Sequence, residues 1–433
     1  MNLTADEHAG NIRRFIAFRI LFNARWYYPI YALLFLDLGL GLGAFSLLNG
    51  LWALTIVLCE VPSGALADRF GRRTLLIAAA GFMVAEMFLL TFAPADGGLW
   101  LLLALGANRI LSGMAEASAS GADEALAYDS LPETGRDEAW SRILTKLMRW
   151  QSLSMMGAML LGAALYDPAF IQSVLRFFTI DWEISAEVTH RLPPLLTLLN
   201  AVVLVFVTIG FKEAPHATSG RASWIGAFQS IPRIAAWILG RRAVLLVILA
   251  GMMLDSFVRL FLTLNSGYYR LIGLPEASYG LIASTMGLFG VLIPPLAARI
   301  RHQLSRTRAF LLASVTLLTG LGIIGFVRHP AGVLGALLLG AGMFFIGFLV
   351  SAYLNADTSS DKRATVLSFK GLAFNIGYGG ASAWFAILQS RVREPDMAEE
   401  TALGLCLPWI PLAAATGIVA VLLVGALTRR KTS

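Results

Sequence analysis

Apolar runs of about 20 residues alternate with short polar, charged connections along the whole chain. A helix rises about 1.5 Å per residue, so each run is long enough to cross a hydrocarbon core of about 30 Å. Twelve spans are predicted, over residues 15–37, 43–66, 74–93, 99–127, 141–166, 193–211, 242–266, 278–298, 308–327, 331–356, 364–389 and 402–428. Little chain is left for a soluble domain. Composition points the same way. With 57% hydrophobic and 14% charged residues and a mean hydropathy of +0.70, the chain has too little polar surface for a water-soluble body of its length. The expectation is an all-α, multi-pass integral membrane protein solvated mainly by lipid.

The net charge of +7 raises nucleic acid as a partner, but charge in a membrane protein is first tested for sidedness. With the N-terminus inside, the inner connections hold Arg13, Arg14, Arg69, Arg72, Arg73, Arg136, Arg142, Arg241, Arg242, Arg299, Arg301, Arg306, Arg308, Lys362, Arg363 and Arg429, among others. The outer connections hold Arg176, Arg191, Arg270, Arg328, Arg391 and Arg393. This asymmetry places both termini in the cytoplasm, with a bacterial inner (plasma) membrane as the expected location, and excludes a nucleic-acid site. The first run carries aromatic and charged residues rather than a small-residue cleavage site, so no removable signal peptide is expected. Cys59 and Cys406 fall in separate apolar runs and read as buried hydrophobes, with no disulfide, metal or cofactor.

Three domains follow from the spacing: residues 1–211 with six spans, a linker at 212–241, and residues 242–433 with six more. In the linker Trp224, Phe228, Ile231, Ala235 and Ile238 recur at helical spacing beside Arg233, Arg241 and Arg242, so part of it is expected to lie on the inner leaflet. In the one sizeable outer loop, 167–193, Ile180, Trp182 and Ile184 alternate with polar residues, which suggests a short extended cap. A weak internal repeat relates Tyr128, Asp129 and Arg136 to Tyr353, Asp357, Lys362 and Arg363, at similar inner loops after the fourth and tenth spans. Repeated halves with a site between them are the usual build of secondary transporters.

Residues 64–73, Gly-Ala-Leu-Ala-Asp-Arg-Phe-Gly-Arg-Arg, form the densest charged turn between two apolar runs. Gly64 and Gly71 bracket a turn where missing side chains let helices and loop approach closely. Asp68 falls at a helix end among Arg69, Arg72 and Arg73. A carboxylate there can pair with arginine or cap a neighbouring helix, in a contact made in one conformation and broken in another. This Gly-x-x-x-Asp-Arg-x-Gly-Arg-Arg pattern, between the second and third of twelve spans, resembles the signature loop of the major facilitator superfamily. Arg109 and Gly113, in Arg-Ile-Leu-Ser-Gly, resemble that family's fourth-helix motif, which is associated with proton coupling. The matching loop of the second half, Pro294 to Arg301, keeps basic residues without the glycine and aspartate. The fifth span has Gly157 and Gly162 but lacks the Gly-Pro pair of the family's drug/proton antiporters. The resemblance implies two pseudo-symmetric six-helix bundles, alternating access, and a central cavity lined chiefly by helices one, four, seven and ten.

A charge at the bilayer centre is costly, so each buried ionisable residue should face the bundle interior, be paired, or be neutral. Counting from the helix ends puts Glu86, Glu116 and Asp255 near mid-depth, with Arg25 inside the first span. Arg109, Glu116 and Asp123 are each seven residues apart and, with Gly113 and Ser120, form a predicted stripe on helix four facing the cavity. Asp255 and Arg259 can pair on helix seven. Arg142, Lys146 and Arg149 enter helix five, with Arg149 placed by depth to meet Asp123 or Glu116, while Glu60, Asp123 and Glu124 suit an inner gate with Arg72 or Arg73. Glu116 is the candidate proton carrier, since one movement relative to Arg109 or Arg149 would switch its proton on and off; Glu86 and Arg109 are assigned to the same task. Trp26, Tyr27, Tyr28 and Tyr31 crowd helix one with Pro29 available to bend it, and Tyr353 and Asn355 hold the parallel place on helix ten. Together with the arginines they suit an amphipathic or anionic organic solute.

The sequence therefore reads as a secondary active transporter of a small organic solute, proton-coupled, acting as a monomer. A proton-independent facilitator or exchanger needs the same fold with only static ion pairs, and a non-transporting scaffold or sensor is the third reading. An enzyme is excluded by the want of a nucleotide loop, a nucleophile motif, or a histidine or cysteine cluster.

Overall fold

The computed structural model describes residues 5–95, 97–132, 134–213, 235–358 and 360–430, and no strand occurs among them. Twelve membrane-crossing units run through two bundles of six. Among the described residues eight helices are long and apolar enough to cross a membrane unaided. The remaining spans, one, four, five and eleven, carry ionisable side chains in mid-course, which lowers their hydropathy. Residues 214–234 lie outside the described residues, so the linker stripe of Trp224, Phe228 and Ile231 does too; residues 235–239 are helical, with Ile238 buried.

Two spans predicted as continuous are broken. The first runs as Ala5–Asn23, leaves the helix, and resumes as Tyr31–Asp37. Pro29 has no N–H to continue the ladder, and the bend expected at it is instead a full interruption. Freed backbone groups in hydrocarbon must find partners. Trp26 N–H donates to Thr197 Oγ1 at 3.1 Å, Asn200 Nδ2 donates to Ala24 O at 3.1 Å, and the N–H groups of Ala32 and Leu33 donate to Ser266 Oγ at 3.0 and 3.3 Å. Gly162 of the fifth span packs directly on the carbonyl of Trp26, where any Cβ would collide with main chain that cannot retreat. The fourth span likewise ends at Ala119 and resumes as Ala122–Asp129, so the predicted stripe Arg109–Glu116–Asp123 is not one helix face.

The outer loop is also corrected. Residues Pro168–Phe177 form a helix with no buried side chain, turned 88° from the fifth span, Arg136–Tyr166, and the alternating residues beyond it form no strand. Asp167 starts this helix, its Oδ1 accepting from Ala169 and Phe170 N–H at 2.9 and 3.0 Å.

The halves meet at the face opposite the basic connections. The second span, Leu42–Phe70, and the eleventh, Ser360–Val392, approach through small residues, with a Cβ at Gly50 falling 3.5 Å from the Gly379 carbonyl. The fifth span meets the eighth, Tyr279–Gln303, where Ser284 Oγ donates to Met156 O at 3.4 Å. Asp167 Oδ2 accepts from Ala277 N–H at 3.1 Å. All these contacts lie towards the far face.

Candidate functional site

At the basic face the second span ends at Phe70 and the third, Arg72–Thr91, begins two residues later. The single residue between, Gly71, has φ +88°, a conformation that side chains strain. Glu213 caps the new helix, accepting from Arg72 and Arg73 N–H at 3.0 and 2.9 Å, where an anion also suits the helix dipole. The capping carboxylate is thus Glu213, just beyond the sixth span at the start of the linker. Of Gly64, Asp68 and Arg69 only the helical backbone is described; their side-chain surroundings lie outside the described residues. Arg72 pairs with Asp129, and Arg73 Nη2 donates to Ile209 O at 2.9 Å. In the second half Arg306, starting the ninth span, grips Asp357 at the end of the tenth through 2.6 and 2.9 Å bonds. The arginine–aspartate tie therefore recurs in both halves, at Asp129 and Asp357 of the internal repeat.

A cavity of about 350 Å³ opens in the basic half of the molecule, walled by the first, second and fourth spans with Asn375 of the eleventh beside them. Glu116 stands in its wall, its side chain 37% exposed and 3.7 Å from Arg25 Nη2. Arg25 and Glu86 are buried together, Nη1 on Oε1, the guanidinium also reaching Tyr27 Oη at 3.2 Å and lying 5.9 Å from the Tyr28 ring. Asn108 Nδ2 ties the Glu86 carbonyl at 2.6 Å.

Arg109 departs from the expected stripe. Its guanidinium donates to Tyr31 Oη and to Asn108 Oδ1, and lies 5.4 Å from both the Tyr31 and Phe35 rings. Gly113 faces the second span, where a Cβ would come within 2.8 Å of Thr55 Cβ. Only Glu116, Ser120 and Asp123 of that stripe reach the cavity. Arg149 is exposed, and the acids foreseen for it are engaged elsewhere, Asp123 by Arg19 at 3.3 Å and Glu116 by Arg25. Tyr353 is buried against Phe310 beneath Arg301 and Arg306, whose guanidiniums lie 5.4 and 4.7 Å from its ring, and does not line this cavity. Trp26 is half-buried, its main chain bound to helices five and six, whereas Tyr28 is exposed among Tyr27 and Tyr31. Asp255 and Arg259 do pair, at 2.6 Å, and Arg259 Nη1 reaches Asn375 Oδ1 at 3.1 Å on the cavity wall.

The charges sealing the far face were not foreseen from sequence. Asp37, ending the first span, receives both terminal nitrogens of Arg270 from the seventh, at 2.6 and 2.7 Å. Arg270 also holds Glu276 at 2.5 Å, and Tyr166 Oη donates to Asp37 at 2.5 Å. Glu399, before the twelfth span, accepts from Leu42 N–H at 3.0 Å and pairs with Arg393 at 2.6 Å. The available signal was positional: Asp37 and Arg270 stand at equivalent ends of the first helix of each half.

Two helical bundles sealed at one face, around a polar cavity, define a membrane transporter rather than an enzyme. The Major Facilitator Superfamily profile matches residues 15–382, and the chain belongs to that superfamily. Among solved structures the fold resembles the nucleoside transporter NupG, at 10% identity over 96% of this chain and 98% of that one, with TM-score 0.72. It also resembles a bacterial homologue of the human lysosomal transporter Spinster in an inward-facing, unoccupied conformation, at 13% identity over 99% and 98%, TM-score 0.69. A D-xylose-proton symporter aligns at 15% identity over 96% of each chain, TM-score 0.66. No curated protein matches.

Proposed function

We propose that the protein is a secondary active transporter moving a small, amphipathic organic solute by alternating access, with proton coupling through Glu116. The supporting observation is the sharing of Arg25. Glu86 neutralises it within the protein, and Glu116 is a second carboxylate 3.7 Å away on the cavity wall. Protonation of Glu116 therefore leaves no buried charge without a partner, while its ionised form adds attraction between the first and fourth spans. A proton can thus bias one conformation over the other at modest energetic cost.

The basic face is read as cytoplasmic, in a bacterial inner membrane, with both termini on that side and a monomer as the working unit. The conformation described is then inward-open. The bundles 1–211 and 242–433, joined by 212–241, rock about the cavity, and the 64–73 turn with Asp68 serves as the latch of the inner face when it closes. A small organic solute accords with the nucleoside and D-xylose named for two structural neighbours. The arginines on which an anionic group would dock are engaged, Arg25 by Glu86 and Arg259 by Asp255, so anion binding has weak support.

Thermal stabilisation in detergent against metabolites and drugs identifies the solute, because a ligand of the folded state raises its stability. Flux into proteoliposomes then tests the mechanism. An imposed pH gradient should drive accumulation, and Glu116→Gln should abolish that drive while leaving solute exchange. Flux in the unaltered protein that ignores the gradient removes the coupling and leaves a facilitator.

A further inference from the structure

We propose that the transported solute is a cation, an organic amine or guanidinium on an apolar body. The inference rests on the transporter reading and concerns the same cavity. Four carboxylates, Glu60, Glu116, Asp123 and Glu124, line that cavity, and Arg19 is the one cation among its described lining residues. The nearest other cations do not restore the balance. Arg25 is neutralised by Glu86, Arg259 by Asp255, and Lys370 stands over the Phe374 ring outside the wall.

Backbone adds to the same field. The first span breaks after Asn23 and the fourth after Ala119, and both residues are in the cavity wall. A helix C-terminus carries roughly half a negative charge on carbonyls that lack intrahelical partners. The end of the first span adds this field beside the carboxylates, whereas the end of the fourth is offset by the N-terminus of Ala122–Asp129, whose first-turn Asp123 and Glu124 share the same wall.

Asp123 supplies a specific contact. It is 1% exposed, and its Oδ1 accepts from the Glu124 N–H at 2.7 Å. Its Oδ2 accepts no hydrogen bond; Arg19 Nε lies 3.3 Å away while Arg19 Nη2 is bound to Glu124 at 2.5 Å. An ammonium or guanidinium N–H would complete that oxygen. Beside it the Phe18 and Phe22 rings stack at 5.4 Å and line the cavity, offering an apolar surface to the body of the solute, while Arg25 already lies 5.4 Å from the Phe22 ring. The volume, about 350 Å³, falls at the small end of the range of about 300–1,000 Å³ for organic-ligand sites.

Three probes on one skeleton test the charge: 4-phenylbutylamine, 4-phenylbutanol and 4-phenylbutyrate, titrated calorimetrically against the full chain in nanodiscs. The amine should bind roughly tenfold or more tighter than the alcohol, as a charge-assisted bond implies, and the carboxylate should bind least. Glu124→Gln and Asp123→Asn should weaken the amine alone. Arg19→Gln, which removes a competing cation, should tighten it, a gain that structural damage does not mimic. Equal or tighter binding of the alcohol or carboxylate, or binding of none of the three, overturns the proposal. Proteoliposome flux separates the two readings. Carriage of the carboxylate but not the amine sinks the charge class and leaves the transporter; binding of the amine by a protein that carries no solute does the reverse.

Discussion

Asp37→Asn is the perturbation that most directly tests whether the described conformation is one of two alternating states. Asp37 bridges the halves at the far face through two bonds to Arg270, and its side chain is 17% exposed against 26% for Arg270. Hydrogen bonds to charged groups contribute about 1.5–3 kcal/mol. Partial exposure argues for the lower part of that range, and Arg270 keeps Glu276 as a partner, so no guanidinium is abandoned. The contact exists only while the far face is closed. Its loss should therefore shift the balance towards the outward-open form by about 2 kcal/mol, roughly 30-fold in population. The measurement is a pulsed electron-spin distance between labels at Ser173→Cys and Arg391→Cys, both exposed at that face on opposite halves, in a Cys59→Ala, Cys406→Ala background. The unaltered protein should give a short distance, and Asp37→Asn a second, longer population. Arg270→Met should do the same, and the double variant no more than either single one, since they share one interaction. A folded Asp37→Asn protein whose distance distribution is unchanged would refute the assignment of this pair as the outer seal.

Three other outcomes follow from the packing. Arg25→Met leaves Glu86 buried without its partner and should destabilise by about 3–5 kcal/mol, whereas Arg25→Met with Glu86→Leu should recover a monodisperse protein on size exclusion; recovery by neither, or no loss in the single variant, contradicts the pairing. Gly71→Ala places a side chain at φ +88° and 2.7 Å from Glu213 Oε2, so the melting midpoint should fall with a cost of about 1 kcal/mol or more, with Glu213→Gln losing a similar amount through the cap. Gly162→Val should prevent folding outright by driving a side chain into the Trp26 carbonyl, and a normal melt for that variant would show that the first span is not broken where described.

The membrane class and the number of spans were legible because hydropathy is a local property, summed over about 20 neighbouring residues, and lipid rewards it wherever the helix lies. The tight turn at Gly71 was legible for a similar reason, since that glycine answers a backbone demand within three residues of itself; Gly64, expected to bracket the turn, instead lies within the helix Leu42–Phe70. The breaks were not. Pro29 announced a bend, but whether helix one could leave its ladder altogether depended on Thr197, Asn200 and Ser266 arriving from other spans to satisfy the freed groups. That dependence also dissolved the helix-four stripe, whose seven-residue spacing has meaning only on an unbroken helix.

Partnerships between charges are where tertiary structure alone decided. Sequence placed Arg25, Glu86 and Glu116 at similar depth, and the pairing of Asp255 with Arg259 followed from four-residue spacing on one helix. Which acid met which base elsewhere depended on how helices were rotated and which were adjacent. Arg25 found Glu86 across 61 residues, Arg270 found Asp37 across 233, and Arg149, expected to meet Asp123 or Glu116, turned outward because nearer arginines had taken them. Hydropathy records that a charge is inside the membrane. Only the packed bundle determines what faces it, because in a low-dielectric interior a shift of a few ångströms separates a neutralised pair from a lone charge.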